Sequence, residues 1–274
     1  MMLASRAIAS VVILLLIAAC VSKPVAKDPP PVPPTPSYLA VLDGGKLVPL
    51  DEPLIVTMKP FPTATFQKTK QVSATVGAQG LAGSLKTAGR VSAQQSDDLV
   101  SIVEFVDQAG ASGNLPTFIQ EAKASRGAQY KFVVDVYGVL KDYAVVYASP
   151  SPKDAKGFEL HNPDISTWVL PTDGFHQDQV LARTEPYESP LPHSAYSGKL
   201  IVKGRGAYRG RAVVVFEESG SVVINSNLYE VRGYRLLDVA TGIWIHVDTV
   251  ATSQGRPSAG TSNFREETIE DIDL

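Results

Sequence analysis

Lys199-Leu200-Ile201-Val202-Lys203-Gly204-Arg205 and Arg211-Ala212-Val213-Val214-Val215-Phe216-Glu217, flanking Tyr208-Arg209-Gly210, decide the fold class. Two short runs rich in β-branched residues on either side of a glycine-bearing turn read as a β-hairpin. The pattern continues toward the C-terminus, where Ser221 to Asn225 follows a break at Ser219-Gly220. In Tyr229 to Leu236 the phase changes at Gly233, so that Tyr229 and Val231 before it share a face with Tyr234 and Leu236 after it; one residue added at a glycine predicts a β-bulge. After Asp238-Val239-Ala240-Thr241-Gly242, strand alternation sets Ile243, Ile245 and Val247 on one face and Trp244, His246 and Asp248 on the other. Residues 198–252 thus read as meander strands of a curved sheet or partial barrel.

Upstream, residues 150–197 lose this periodicity. They carry Pro150, Pro152, Pro163, Pro171, Pro186, Pro190 and Pro192 together with Trp168, His161, His176 and His193, and a stretch of that length without regular elements reads as an irregular linker. Before it, Tyr130, Phe132, Val134 and Val136 alternate with Lys131, Val133, Asp135 and Tyr137, and Tyr143, Val145 and Tyr147 alternate after a turn near Gly138 to Asp142. These are strands within Gln129 to Ser149.

Leu115 to Ser125 reads as a helix, with Asn114 to cap it, Pro116 in its first turn and Gly127 after it. A second helix is expected from Ser96, where Leu99, Ile102, Val103 and Val106 recur at helical spacing and Asp97 and Asp98 suit the positive end of a helix dipole. The β-branched Val100, Ile102 and Val103 suit a strand there and leave that alternative open. Gly77 to Gly89, rich in small residues, reads as a loop between this region and a strand at Gln71 to Val76. Another short strand is expected at Leu54 to Met58, and a hairpin joins Tyr38–Leu42 to Lys46–Leu50 through Asp43-Gly44-Gly45, with Pro49 marking an edge. Residues 38–149 read as an α+β N-terminal domain. The fold class is α+β, predominantly antiparallel β: a curved sheet or partial barrel with one or two short helices.

Residues 253–274 are small and polar, then acidic through Glu266, Glu267, Glu270, Asp271 and Asp273. So little apolar surface does not order a free segment, and the expectation is a disordered acidic tail.

At the other end, Met1 to Ala19 has the parts of a signal peptide: Arg6 near the amino terminus, an apolar run from Val11 to Ile17, then small residues. The run is shorter than the ~18 residues of a spanning helix. Ile17-Ala18-Ala19-Cys20 resembles the lipobox of bacterial lipoprotein precursors, an aliphatic residue and two small residues before a cysteine. The resemblance covers only these first residues, and Cys20 is the single cysteine of the 274-residue chain, so it has no disulfide partner within it. It implies diacylglyceryl transfer to the Cys20 thiol, cleavage after Ala19 and acylation of the new amino group, which together make a stable membrane anchor. In the sorting preference of such lipoproteins, Val21 and Ser22 after the cysteine point to the outer membrane, facing the periplasm, with the inner membrane as the other destination.

Residues 20–37 then form a tether. Pro24, Pro29, Pro30, Pro31, Pro33, Pro34 and Pro36 favour extended polyproline II, which at ~3.1 Å per residue holds the folded part about 40 Å from the bilayer.

Lys and Arg number 25 against 28 Asp and Glu, a formal net charge of −3 that argues against a general nucleic-acid binder. Catalytic and cofactor constellations are absent. No His-Glu-x-x-His pair supplies a zinc site, Gly204-x-Gly206 with Gly210 breaks the dinucleotide-binding spacing, and Gly110-Ala111-Ser112-Gly113 misses the nucleophile elbow. No cofactor is expected.

Three features remain. His176 and Asp178, within Asp173-Gly174-Phe175-His176-Gln177-Asp178, are candidates for a metal or acid/base site, with polar loop residues as the plainer reading. His246 lies near Trp244 and Asp248 on one strand. Lys199, Lys203, Arg205, Arg209 and Arg211 gather positive charge on one hairpin, a candidate patch for an anionic lipid, a glycan or an acidic protein. The function expected is a lipid-anchored, non-enzymatic envelope module that binds or scaffolds an envelope protein or glycan. The alternative is a carrier that holds a lipid or other apolar ligand in a β-cup.

Overall fold

The computed structural model describes residues 37–76, 79–146, 168–186, 195–224, 227–253 and 261–274. Its strands are β1 (Phe61–Val76), β2 (Gln79–Ser96), β3 (Leu99–Gly113), β4 (Gln129–Asp135), β5 (Leu140–Val146), β6 (Val180–Pro186), β7 (Ala195–Tyr208), β8 (Arg211–Ile224), β9 (Asn227–Asp238), β10 (Trp244–Ser253) and β11 (Thr261–Asp273). They form one sheet of 11 strands in the order β5-β4-β3-β2-β1-β11-β10-β9-β8-β7-β6, and every neighbouring pair is antiparallel. One α-helix is found among the described residues, α1 (Pro116–Ser125). The α+β, predominantly antiparallel β class is thus observed, as a curved sheet with a short helix.

The topology is two meanders joined by the end of the chain. β1 to β5 step outward one way and β10 to β6 the other, and β11 pairs with β1 on one side and β10 on the other. The 253–274 tail is therefore no disordered segment over the described Thr261–Asp273. Its acids find partners across the strands: Glu270 meets Lys68 at 3.5 Å and Glu266 meets Lys70 at 3.3 Å. Backbone pairing on both edges supplies the hydrogen bonds that a solvated tail takes from water.

Other expectations change for the same reason, that long-range pairing overrides local preference. The helix expected from Ser96 is instead a turn, with Asp97 at φ 53°, followed by β3. The alternating burial of Val100, Ile102, Glu104 and Val106 puts these residues on one face. The loop expected over Gly77 to Gly89 is, from Gln79 onward, part of β2, paired to β1 and β3. The hairpin expected at Tyr38–Leu50 is replaced by 3-10 turns at Tyr38–Ala40 and Asp43–Gly45, while Val48 bridges to Arg205 on β7. Leu54 to Met58 makes a single bridge, Leu54 to Phe175. Within the 150–197 stretch, Val180–Pro186 is a strand.

Gly233 is not a bulge. Both neighbours keep register through it, Thr249 on β10 and Glu218 on β8, and a Cβ there would lie 2.1 Å from the Asp248 carbonyl oxygen. The glycine permits close approach of β10. The bulge lies at Ile245, where Trp244 pairs with Leu237 and His246 with Leu236, so Trp244 turns to the face opposite His246.

Register defines two faces. The inner face takes α1, whose Phe118 and Ala122 are buried, over Leu85, Phe132, Val100 and Ile102. On the other half the inner face is covered by two crossing segments. Phe175 packs on Phe216 at 5.1 Å between centroids, and Phe216 on Trp244 at 5.1 Å. The Met58 N–H donates to the Val136 carbonyl in the β4–β5 turn, and the Lys59 N–H to the Thr241 carbonyl in the β9–β10 turn. Residues 54–59 therefore tie together the ends of both meanders, which closes the curve of the sheet at that end.

Candidate functional site

The middle of the inner face, where β1, β11, β9 and β8 run between α1 and the crossing segments, is charged. Lys68, Lys70, Glu266, Glu270, Arg235 and Glu218 share this face by register. Arg235 donates to Glu218 at 2.6 Å, with Glu218 only 2% exposed. The Glu266 carboxylate holds the Lys70 ammonium above its ordinary pKa, against burial that favours the neutral amine. The Glu104 side chain is also buried here, beside Tyr130 across the β3–β4 ladder. Ion pairs cross the floor of the sheet where an apolar cup needs hydrocarbon.

On the outer face of the other half, a polar cluster joins β7, β9, β10 and β11. His246 Nδ1 lies 2.7 Å from Asp271 Oδ1, the Tyr208 hydroxyl donates to the same oxygen at 2.5 Å, and the Tyr234 hydroxyl meets His246 Nε2 at 3.0 Å. Burial raises the Tyr208 and Tyr234 phenols well above their usual pKa, with the Asp271 and Asp248 carboxylates adding to it. Burial alone raises Asp271, but hydrogen bonds from His246 and Tyr208 outweigh it and hold the carboxyl below its ordinary value. Asp248 is raised, chiefly by burial, and its Oδ1 has no hydrogen-bond partner among the described residues. Tyr38 closes the cluster edge-on against Tyr234 at 6.2 Å. The cluster buries its ring nitrogens and hydroxyls, so it fastens strands rather than presenting groups to a ligand.

A concavity lined by polar side chains among small residues lies elsewhere on the outer face, at the other end of β1, β2, β3 and β11. Cross-strand register lays out two rows: Glu267, Gln71, Ser84 and Ser112 in one, and Arg265, Ser73 and Ala82 in the next. Directly opposed residues stand about 5 Å apart in such ladders, so the rows form a continuous polar strip. The β1–β11 register shifts between Ser73 and Thr75, and this kink beside small residues leaves a groove of about 360 Å³ that these side chains line together with Val72, Gly83 and Gly113. Arg265 Nη2 donates to Glu267 at 3.2 Å. Arg265 Nη1 and the Ser84 hydroxyl are shielded from solvent without a partner among the described residues.

The residues singled out from sequence take other places. Cys20 and the tether lie outside the described residues. The five cations of the β7–β8 hairpin do not form one free patch: Arg211 is bidentate on Asp238 at 2.8 and 2.9 Å, Lys203 pairs with Glu217 at 3.5 Å, and Arg209 with Asp271 at 3.5 Å. Lys199 and Arg205 have no ion pair among the described residues and are exposed. His176 and Asp178 are exposed in a turn docked against β7, where the Asp178 N–H donates to the Val202 carbonyl. No group of three or more metal-ligating side chains gathers among the described residues. The groove residues do not stand out in the sequence, where Gln71 to Val76 reads only as a short strand and Arg265 as part of the tail. The signal available was the period-2 spacing of Gln71 with Ser73 and of Arg265 with Glu267.

No family model matches the chain, and no curated protein matches it. Among solved structures, a DUF1329 family protein from Desulfovibrio piger is similar, at 13% identity over 77% of this chain and 83% of that chain, with a TM-score of 0.24. That likeness is too loose to carry function across.

Proposed function

We propose that this chain is a lipid-anchored bacterial envelope protein, held through Cys20 and the proline tether at the outer membrane, whose periplasmic β module binds another envelope component. The anchor is supported by the lipobox-like Ile17-Ala18-Ala19-Cys20 and by the single cysteine. Among the described residues no helix is long and apolar enough to span a bilayer.

Binding is favoured over carriage of an apolar ligand by one observation, the occupied inner face. A lipid in the curve of the sheet would have to displace α1 or the Phe175 segment, or lie on Lys68, Lys70, Glu266 and Glu270. Stranding those ion pairs against hydrocarbon is strongly unfavourable. Among the described residues of β1, β2 and β3, the exposed Gln71, Ser73, Lys86 and Ser112 stand on the outer face.

Crosslinking and affinity recovery of the full chain from native membranes tests this reading. A reproducible envelope partner is the expected result. Recovery of co-purified lipid with no reproducible partner would overturn it in favour of the carrier. The anchor has its own test: Cys20→Ala moves the protein from the membrane pellet to the soluble fraction, and retention in the pellet after a high-salt wash refutes the lipid-only attachment.

A further inference from the structure

The outer-face groove has a composition that narrows what it binds. Its walls are built from the Arg265 guanidinium, the hydroxyl side chains of Ser73, Ser84 and Ser112, the amide of Gln71 and the carboxylate of Glu267, with Gln71, Ser73 and Ser112 the exposed ones. Donors and acceptors are interleaved along two strand-crossing rows, and the two charges balance, because Arg265 and Glu267 pair with each other.

Three ligand chemistries are distinguishable on that lining. An apolar ligand would take the exposed Gln71, Ser73 and Ser112 side chains out of water without hydrogen-bonding them, a penalty that desolvated polar atoms impose fully. An anion would gain from Arg265 but would meet the Glu267 carboxylate in the adjacent row. A neutral polyhydroxyl ligand suits both charges: its hydroxyls accept from the Arg265 guanidinium and the Gln71 amide, donate to Glu267, and do either with the serines. The groove volume of about 360 Å³ falls at the low end of small-molecule sites, ~300–1,000 Å³, a size for one or two sugar rings. Gly83 and Gly113 line it through their backbone only, since a side chain at Gly83 would point to Leu115 on the opposite face.

We infer that the groove formed by Gln71, Ser73, Ser84, Ser112, Arg265 and Glu267 is a saccharide-binding site that accepts a neutral sugar unit of an envelope glycan. This rests on the reading of the module as a binder, and it names the ligand class.

The test uses the full chain in a detergent whose head group carries no sugar, with maltose and N,N′-diacetylchitobiose as saccharide probes and inorganic phosphate and acetate as anionic ones. Saturation-transfer NMR and calorimetry report binding. Saturable binding of at least one disaccharide is expected, weakened at least about tenfold, which is 1.4 kcal/mol, by Ser112→Trp, which fills the groove from an exposed position, and by Arg265→Gln. Circular dichroism establishes that each variant folds, and Gln71→Ala, also at an exposed site, serves if either does not. Binding of phosphate or acetate without either disaccharide would overturn the saccharide assignment in favour of an anion site. Absence of binding by all four probes would overturn it outright, and disaccharide binding unaffected by every folded variant would overturn its location. Each failure is separable from failure of the wider reading: an envelope partner recovered by crosslinking, with no sugar bound, removes the groove assignment alone.

Discussion

His246 and Asp271 meet at 2.7 Å across the β10–β11 ladder, and through that contact the last strand of the chain is fastened beneath two buried tyrosines. Asp271 also accepts from Tyr208, so one carboxylate links β11 to β10 and to the end of β7. Replacing it by Asn keeps the shape and removes the charge. Asp271→Asn is expected to destabilise the fold by about 1–3 kcal/mol, read as a lowered Tm, with a smaller effect from Tyr208→Phe.

The same contact gives an acid limb to stability. Asp271 and Asp238 both titrate below their ordinary range in the folded chain, because hydrogen bonds from His246 and Tyr208, and from Arg211 and Thr241, outweigh the burial that raises them. A depressed carboxyl contributes stability that is complete above its unfolded pKa, ~3.9, and is lost as pH falls through the folded value. The Tm of the unmodified chain should therefore fall below about pH 4, and that of Asp271→Asn should fall less over the same window. Parallel acid limbs for the two proteins would refute a role for Asp271.

Asp248 presents the opposite case. Burial raises its pKa, and its Oδ1 lacks a partner among the described residues, so the ionised form is penalised in the folded state at neutral pH. Asp248→Asn is expected to raise the Tm at pH 7 by an amount equivalent to up to about 1–2 kcal/mol. The gain should shrink toward acid, where the wild-type carboxyl takes up its proton. A lower Tm for the variant at pH 7 counts against the burial penalty.

Truncation after Ser253 separates a tail from a structural strand. Removing β11 unpairs one edge of β1 and one of β10 and takes the partners of Lys68, Lys70 and His246. The truncated chain should lose cooperative thermal unfolding by circular dichroism. Unfolding unchanged from the full chain would mean that β11 is dispensable.

Gly233 tests close approach against a bulge. A Cβ there would stand 2.1 Å from the Asp248 carbonyl oxygen and 2.7 Å from Thr249 Cα, so Gly233→Ala should cost about 2–4 kcal/mol through forced separation of β9 and β10. Gly80→Ala, with nothing within 4 Å of the added atom, is the neutral control. Equal Tm values for the two variants would contradict the close approach.

Elements with an apolar face of clear period were legible in the sequence: α1 through Pro116 and its apolar stripe, β4 and β5 through alternation at Tyr130 to Tyr143, and the β7–β8 hairpin through its valines and the Tyr208-Arg209-Gly210 turn. β1 was legible only over Gln71 to Val76, and β2 and β11 were not, because their inner-face positions carry Lys68, Lys70, Thr87, Glu266 and Glu270 and satisfy one another rather than an apolar core. The groove was hidden for the same reason. Ser84, Gln71 and Glu267 are unremarkable singly, and they become a row only when β11 lies beside β1.

Local sequence by itself determined the antiparallel β character and the position of the helix, since each depends on neighbours a few residues apart. Tertiary structure alone decided that an acidic C-terminal segment becomes the strand joining both meanders, and that Arg265 shares a groove with Ser84. The physical reason is that a strand's hydrogen bonds and cross-strand ion pairs come from chains distant in sequence, here β1 to β11, so no local pattern in Thr261 to Asp273 records them.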